Sequence, residues 1–203
     1  MATDCLPLRM GLQLDLFPPP SPPEDKYRLF LGIFPDVEAA DSIQRLQVGM
    51  RDQLGLRGKL RPREILHTTL HHIDDYPEMP SKAIKLAGEA CAATLVNQPP
   101  VEVAYGQVKS FRGRAGNQPF VLVGPDGNEG LMVLHRRLIT ELNRRGLAKA
   151  TDFKFVPHVT LLYDRLNVPE QPVERINWTV REVVLVLSYL GETRYERLQS
   201  WAL

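Results

Sequence analysis

The sequence predicts an α+β fold with two pseudo-symmetric lobes, each an antiparallel sheet packed with helices, around a central groove. The main observation is that the pattern His-x-Thr-Leu occurs twice, at 67–70 and 158–161, each time within a short apolar run typical of a strand. In addition, a helical pattern precedes each run. We therefore expect two similar units whose motif strands, Ile65 to Ile73 and Phe155 to Tyr163, face each other across the groove.

The chain is expected to form a single bilobal domain over residues 26–203, preceded by a proline-rich tail at 1–25. A domain of this length is ample to bury a hydrophobic core. Five of the six residues from 18 to 23, near the end of the tail, are prolines. Such a run favours an extended conformation and cannot contribute an element to the core.

Two strands and two helices are predicted in the first half of the domain. The first helix begins at Asp36, because an aspartate at this position accepts hydrogen bonds from the free N–H groups of the first turn. Its apolar residues, from Val37 to Met50, recur at helical spacing. In chain order the elements are a strand at 27–34, a helix from Asp36 to about Leu54, the first motif strand, and a helix from Pro80-Ser81 through Val96.

The second half repeats this order with additional strands. A turn at Pro125-Asp-Gly-Asn separates a strand from a helix, and Gly146 ends that helix because glycine readily adopts the left-handed conformation found after a helix. The predicted elements are strands near 101–111 and 118–124, a helix at 129–145, the second motif strand, and closing strands at 180–190 and near 194–202.

Composition limits the classes of function. The net charge is only +1, so any attraction to a nucleic acid must come from local basic clusters. No apolar stretch approaches the roughly 18 residues of a membrane span, and no basic region followed by an apolar core opens the chain. The two cysteines supply no disulfide framework. We therefore expect a cytoplasmic protein without a membrane partner.

The two motifs supply a specific set of chemical groups. Successive side chains of a strand point to opposite faces, so each histidine shares a face with its threonine. Imidazole titrates near neutrality, so a facing pair can provide one general base and one general acid. The threonine hydroxyls can donate hydrogen bonds to non-bridging phosphate oxygens. This combination suits phosphodiester chemistry that needs no metal and no cofactor.

With these motifs the chain resembles the two-histidine (2H) phosphoesterases, and within them the 2′-5′ RNA ligase or RNA 2′,3′-cyclic phosphodiesterase family. The resemblance extends over most of the chain from Tyr27 to Leu203. Beyond the motifs, it includes the opening strand at 27–35, the Phe155-Val-Pro that leads into the second motif, and a closing run at 187–198 that is similar to the family's final hairpin.

The resemblance implies the roles of the motif residues. His67 and His158 would be the acid/base pair, and Thr69 and Thr160 would bind the phosphate. The expected reaction is hydrolysis of an RNA 2′,3′-cyclic phosphate to a 2′-phosphate, with reversible 2′-5′ ligation as a related activity. The partners would be RNA ends or small cyclic phosphates, and we expect a monomer.

Four further residues are candidates for substrate binding. Phe111 and Arg112 lie in a glycine-rich loop, where the aromatic ring could stack on a base. Arg63 leads into the first motif, within a basic cluster. Tyr163 stands five residues after His158, where ligase-like members of the family often carry arginine. The alternatives are an apolar hinge for Phe111 and ordinary solvated surface for the basic residues.

The other three histidines have simpler explanations. His71 is expected on the face of His67, where it would line the groove; with His67 and His158 it could instead form a three-nitrogen zinc site. His72 is expected on the opposite face of the strand, and His135 on the surface of a helix. No metal is part of the favoured interpretation.

Two alternatives to the RNA reaction stay open at this point. The same residues could act on a small substrate, such as a cyclic nucleotide or ADP-ribose 1″,2″-cyclic phosphate. Alternatively, the groove could belong to a noncatalytic RNA- or nucleotide-binding module, although the intact pair of motifs argues against this.

Overall fold

The structure is a computed structural model that describes residues 24–114, 116–124, 126–149 and 155–203. The predicted tail at 1–25 lies outside the described residues up to position 23. The elements, in chain order, are β1 (Tyr27–Ile33), α1 (Val37–Leu54), a 3-10 turn (Arg63–Ile65), β2 (Thr68–Tyr76), α2 (Ser81–Leu95), β3 (Val101–Ser110), β4 (Gln118–Val123), α3 (Glu129–Arg144), β5 (His158–Asp164), β6 (Gln171–Val180), β7 (Glu182–Tyr189) and β8 (Arg194–Ala202).

The predicted α+β class is confirmed. One antiparallel eight-stranded sheet has the order β6-β3-β4-β5-β2-β1-β7-β8. The two lobes expected from the sequence are the two halves of this sheet, and they meet where β2 pairs with β5. The halves correspond in order, because β1-α1-β2 and β4-α3-β5 each consist of a strand, a helix and a motif strand. The motif strands therefore pair side by side at the centre of one sheet, rather than facing each other as expected from the sequence.

Two strand boundaries differ from the prediction, and one strand was missed. The motif strands begin at Thr68 and His158 rather than at Ile65 and Phe155, because a 3-10 turn and a proline at 157 precede them. The missed strand is β6, which pairs with β3 at the edge of the sheet. Its mostly polar sequence and its proline at 172 do not show the apolar alternation of a central strand.

The two faces of the sheet have different coverings. The main core combines apolar residues of all three helices with one face of the strands. A smaller cluster covers the other face, where Phe30, Val184 and Val186 pack with Phe34 and Tyr195. In β7, residues on both faces are fully buried. The face that carries the smaller cluster is also the face of His67, whose ring contacts Phe30.

Both motif strands contain a β-bulge at the leucine of the motif. In the first, Thr69 pairs with Gly32 and His71 with Leu31, so Leu70 is the extra residue. In the second, Thr160 pairs with Val121 and Leu162 with Phe120, so the extra residue is again the leucine. A bulge reverses the alternation of faces beyond it. The side chains directly after each motif therefore point opposite to the direction that simple alternation predicts, and in β2 a second irregularity at Ile73 reverses the alternation again.

Two further observations concern the expected environment. The described cysteine, Cys91, is a fully buried free thiol, and burial raises its pKa to about 12, so it is not a reactive thiolate. In the part of the chain that the structure describes, no helix combines the length and the apolar character needed to cross a membrane.

Candidate active site

The two motifs lie side by side where the halves of the sheet meet. β2 and β5 pair in antiparallel orientation through the second residue of each motif, Thr68 and Val159. The flanking positions therefore lie beside each other, so that each histidine is next to the threonine of the other motif. Such neighbours have Cα atoms about 4.5–5.5 Å apart. The pairing thus collects two imidazoles and two hydroxyls within one small area.

The burial pattern places these four side chains on one face. Within each motif the second and fourth residues are buried, whereas the histidine and the threonine remain partly exposed. The buried Thr68 side chain bonds Tyr105 of β3 through the two hydroxyls, 2.6 Å apart, and Trp178 stacks on Tyr105 at 4.9 Å. This contact holds the first motif against a strand of the other half.

Both imidazoles are oriented in the same way by backbone carbonyls. Nδ1 of His67 lies 2.7 Å from the carbonyl oxygen of Ile65, and Nδ1 of His158 lies 2.8 Å from that of Val156. A carbonyl oxygen only accepts hydrogen bonds, so each Nδ1 must carry the proton. Nε2 is therefore the nitrogen of each neutral ring that is available as a base.

His67 is enclosed by aromatic rings. Phe30 lies 4.9 Å from its ring, Tyr195 packs edge-on at 5.4 Å, and Phe34 is at 5.8 Å, all between ring centroids. The hydroxyl of Thr69 lies 3.1 Å from Nε2 and donates to it when the ring is neutral. The first motif thus supplies its own internal hydrogen bond between the histidine and the threonine.

Burial lowers the pKa values of both histidines. Loss of solvation brings the pKa of His67 down to about 4, opposed by the hydrogen bond to Ile65 and assisted by the positive charges of Arg61 and of protonated His158. Loss of solvation also lowers the pKa of His158, opposed by its bond to Val156. In the free protein the neutral form of both rings therefore predominates at pH 7.

The second histidine has a different neighbourhood. Phe111, from the loop after β3, packs edge-on against His158 with 4.9 Å between ring centroids. The ammonium of Lys109 lies 5.8 Å from the Phe111 ring and 2.6 Å from the Glu170 carboxylate. Arg112 follows Phe111 and is exposed. The structure thus brings one predicted binding residue, Phe111, into contact with His158.

Tyr163 reaches the face of the motifs because of the bulge at Leu161. Beyond that bulge Leu162 and Asp164 are buried, whereas Tyr163 is 43% exposed. A cavity of about 650 Å³ next to it is also lined by Arg57 and Arg165. Its volume is in the range of small-ligand pockets. Simple alternation from Thr160 would have placed Tyr163 on the buried face.

A buried carboxylate fixes the chain segment that leads into the first motif. Asp164 accepts hydrogen bonds from the backbone N–H groups of Arg57 at 2.6 Å and Gly58 at 2.7 Å. Burial alone would raise the pKa of Asp164, but these bonds and others from the backbone lower it overall. A side chain at Gly58 would come within 2.0 Å of the carbonyl oxygen of Tyr163, so the close contact requires glycine.

Arg63 makes its contacts elsewhere. Its guanidinium pairs with Asp41 at 2.6 Å and donates to the carbonyl of Val37 at 3.2 Å, both in α1. Among the described residues it contacts neither motif. The predicted role of Arg63 in substrate binding therefore has no supporting contact in the structure and stays a prediction.

The bulge at Leu70 reverses the positions expected for two histidines. His71 pairs with the core residue Leu31, is buried, and lies 2.8 Å through Nε2 from the carbonyl of Leu147. His72 pairs with Phe30, is exposed, and bonds Asp75. The zinc set of His71 with the two motif histidines is therefore not assembled. Within the described ranges, no group of three His, Cys, Asp or Glu side chains is placed to hold a metal ion.

Sequence reasoning also misplaced or missed three residues of interest. His135 is buried and stacks on Phe155 at 4.2 Å, rather than lying on the surface of α3. Tyr195 and Arg61 lie beside His67, although neither was singled out. In the sequence, Tyr195 was marked only as part of the closing run at 187–198, and Arg61 only as part of a basic cluster. No local spacing links either residue to the motifs.

Comparison with known proteins supports one family. The model of the 2′-5′ RNA ligase superfamily matches residues 34–192. A search of curated proteins found no match.

Several solved structures share the fold. A structure described as a phosphoesterase has a TM-score of 0.68 at 23% identity and covers 87% of this chain and 98% of its own. E. coli LigT in the apo form has a TM-score of 0.66 at 22% identity, covering 88% of this chain and 98% of its own. TT0787 of Thermus thermophilus has a TM-score of 0.60 at 22% identity, covering 87% of this chain and 97% of its own. E. coli LigT is also known in complexes with 3′-AMP, ATP, NADP⁺ and phosphate.

Proposed function

The chain belongs to the 2′-5′ RNA ligase superfamily, whose members are two-histidine phosphoesterases, and is accordingly a phosphodiesterase; we propose that it is a metal-independent RNA 2′,3′-cyclic phosphodiesterase. The observation that carries the proposal is the joining of the two motifs at one antiparallel pair, with Nδ1 of each histidine bonded to a backbone carbonyl so that Nε2 is the basic nitrogen. Reversible 2′-5′ ligation would use the same residues in the opposite direction.

The reaction needs one base and one acid on opposite sides of the phosphorus. One histidine takes a proton from water, whose oxygen attacks phosphorus. The bond to the ribose 3′-oxygen breaks, and the other histidine protonates that oxygen, leaving a 2′-phosphate and a free 3′-hydroxyl. Thr69 and Thr160 would donate hydrogen bonds to the non-bridging oxygens during this step.

We assign the base in hydrolysis to His67. Its pKa of about 4 keeps Nε2 unprotonated over the physiological range. His158 would then be the acid, because a bound phosphodiester carries a negative charge that favours imidazolium. In the ligation direction the two roles exchange.

Both motifs come from one chain and Cys91 is a free thiol, so we propose that the protein acts as a cytoplasmic monomer.

The direct test is product analysis of short RNAs that end in a 2′,3′-cyclic phosphate. We expect conversion to 2′-phosphate ends, unchanged when a chelator is present. Formation of a 3′-phosphate, or loss of activity with the chelator that a divalent ion restores, would contradict the proposal.

The pH dependence of turnover should show the lowered histidine pKa values. We expect a bell-shaped kcat/KM profile whose limbs both lie below 6.5, with the acidic limb near 4, because kcat/KM reports the free enzyme. The kcat profile should lie at higher pH, since the bound phosphate favours protonated imidazole. The two limbs belong to the coupled pair. A basic limb of kcat/KM above pH 7 would contradict the burial argument.

A small cyclic phosphate is the second candidate substrate. The favouring observation is that E. coli LigT, which shares the fold, is known with mononucleotide-sized ligands and with NADP⁺. RNA would need contacts beyond the two motifs. The exposed side chains of Arg57, Lys59, Arg112 and Arg114 could supply them, because none forms an ion pair with a described residue.

Substrate length and salt separate the two candidates. Replacing both Arg57 and Lys59, or both Arg112 and Arg114, with uncharged residues should raise KM for an oligonucleotide and weaken its dependence on salt. The slope of log affinity against log salt concentration should fall by roughly 0.7 for each phosphate that the variant no longer neutralises. Turnover of a mononucleoside 2′,3′-cyclic phosphate should change little. The matched control is the same double replacement at Lys82 and Lys85, which are both exposed on α2. If the two substrates respond equally to the basic-cluster variants, the small substrate becomes the better assignment.

A further inference from the structure

Arg61 lies beside His67 without belonging to either motif. Its Nη2 donates to the phenol oxygen of Tyr195 at 3.0 Å. The ring of Tyr195 in turn packs edge-on against His67, at 5.4 Å, and against Phe30, at 5.5 Å. The guanidinium is therefore held one aromatic side chain away from the imidazole that we assign as the base.

The backbone of Arg61 is fixed on both sides. Its N–H donates to the carbonyl of Leu161, the leucine of the second motif, at 2.8 Å. Its carbonyl accepts from Nε2 of Gln47 at 2.9 Å, and Gln47 is fully buried in α1. Arg61 is thus anchored to the second motif through its backbone and to the surroundings of the first through its side chain. A cation held this way needs little reorganisation to meet a ligand.

The charge of Arg61 has no acidic partner among the described residues, and the residue is only partly exposed. The nearby arginines differ, because Arg28 pairs with Asp75 and Arg63 pairs with Asp41. Two described ionisable groups that interact electrostatically with Arg61 are His67, from the segment before β2, and Tyr195, from β8. Neither side chain is an anion at neutral pH, so neither neutralises the charge of this partly buried guanidinium.

The phenol of Tyr195 suits a positioning role. Burial raises its pKa, so it stays a neutral hydroxyl that accepts from Arg61 and keeps its own hydrogen to donate. Only one N–H of the guanidinium is used in this bond. A guanidinium has five donors in a planar fork that matches phosphate oxygens, so an edge remains for a phosphate held by the two threonines.

We propose that Arg61 is a phosphate-binding residue of this site, positioned by Tyr195, and that it opposes the negative charge of the phosphate while the two histidines transfer protons. The expected effect of Arg61 on turnover rests on the proposed phosphodiesterase function. Binding of inorganic phosphate tests it independently of that function.

The experiment compares Arg61→Gln, Arg61→Lys and Tyr195→Phe with Arg51→Gln, an arginine in the last turn of α1 that pairs with Asp52. The probe is inorganic phosphate, titrated while the histidine ring signals are followed by NMR. We expect Arg61→Gln to weaken binding by about tenfold or more, since glutamine cannot form a charge-assisted hydrogen bond to phosphate. Arg61→Lys and Tyr195→Phe should weaken it less, and Arg51→Gln should not change it.

A second readout separates this role from a purely structural one. The positive charge of Arg61 helps to lower the pKa of His67, so Arg61→Gln should raise that pKa whereas Arg61→Lys should leave it low. With a mononucleoside 2′,3′-cyclic phosphate, Arg61→Gln should raise KM and lower kcat. If Arg61→Gln binds phosphate like the unaltered protein, or if Arg51→Gln weakens it equally, the assignment is wrong.

The outcomes also distinguish the two proposals. Should the unaltered protein turn over no cyclic phosphate, the proposed function fails, yet phosphate affinity and the His67 pKa still decide the role of Arg61. If Arg61→Gln does not fold, Arg61→Lys provides the test: it must lose affinity while keeping the low pKa of His67, and unchanged affinity would overturn the assignment.

Discussion

Replacing either His67 or His158 with alanine should nearly abolish turnover of a 2′,3′-cyclic phosphate while the protein stays folded. Positioned acid or base catalysis contributes about 10²–10⁴-fold for each group. Each ring has its Nδ1 held by a backbone carbonyl, so Nε2 is the atom that faces the reaction. Removing one imidazole leaves the other without its partner in proton transfer, and no neighbouring side chain is placed to replace it among the described residues.

The matched control is His72→Ala. His72 lies in the same strand as the first motif, is exposed, and bonds Asp75 rather than any motif residue. It should keep near-normal kcat/KM. Circular dichroism and thermal unfolding of all three variants would show whether the fold is intact. A motif variant that is folded and retains near-normal turnover would exclude the acid/base pair.

Replacing Thr69 or Thr160 with valine should lower kcat/KM by roughly 10–150-fold. Valine preserves the shape but removes a donor to a charged phosphate oxygen, which costs about 1.5–3 kcal/mol. In the free protein the single hydroxyl hydrogen of Thr69 is donated to Nε2 of His67 at 3.1 Å, which favours the neutral ring, and it can be donated to phosphate only once that bond breaks. Thr69→Val should therefore also move the acidic limb of the pH profile upwards.

Thr68→Val provides the same chemical change one residue away, on the opposite face of the strand. Thr68 is fully buried and bonds Tyr105. Removing this bond should lower the free energy of unfolding by about 1–3 kcal/mol, measured by denaturant titration, with kcat/KM close to normal. If Thr69→Val and Thr160→Val behave like the unaltered protein, the two hydroxyls are structural and do not bind phosphate.

Much of the fold could be predicted because its signals are local. The helix from Asp36 is marked by its cap and its apolar spacing, and the observed side chain of Asp36 does accept from the third residue of the helix. Edge strand β6 could not be predicted in this way. Its pairing with β3 is made by backbone groups, which any sequence supplies, and an edge position does not require an apolar pattern.

The direction of side chains after the motifs could not be predicted. Alternation placed His71 in the groove and His72 behind it, and the bulge at Leu70 exchanges them. The corresponding bulge at Leu161 brings Tyr163 to the exposed face. A bulge places an extra residue on one strand opposite a single residue of its partner, so its position depends on the pairing between segments that are distant in the chain.

The sequence by itself determined the α+β class, the family, and the four motif residues whose catalytic and binding roles stay predictions. It could do so because the repeated motif and the spacing of apolar residues are properties of the linear sequence. Only the tertiary structure decided that Arg61 and Tyr195 lie near His67, that Phe111 contacts His158, and that Arg63 pairs with Asp41 of α1. These contacts join segments far apart in the chain, and the burial that lowers the pKa of His67 exists only once they have packed together.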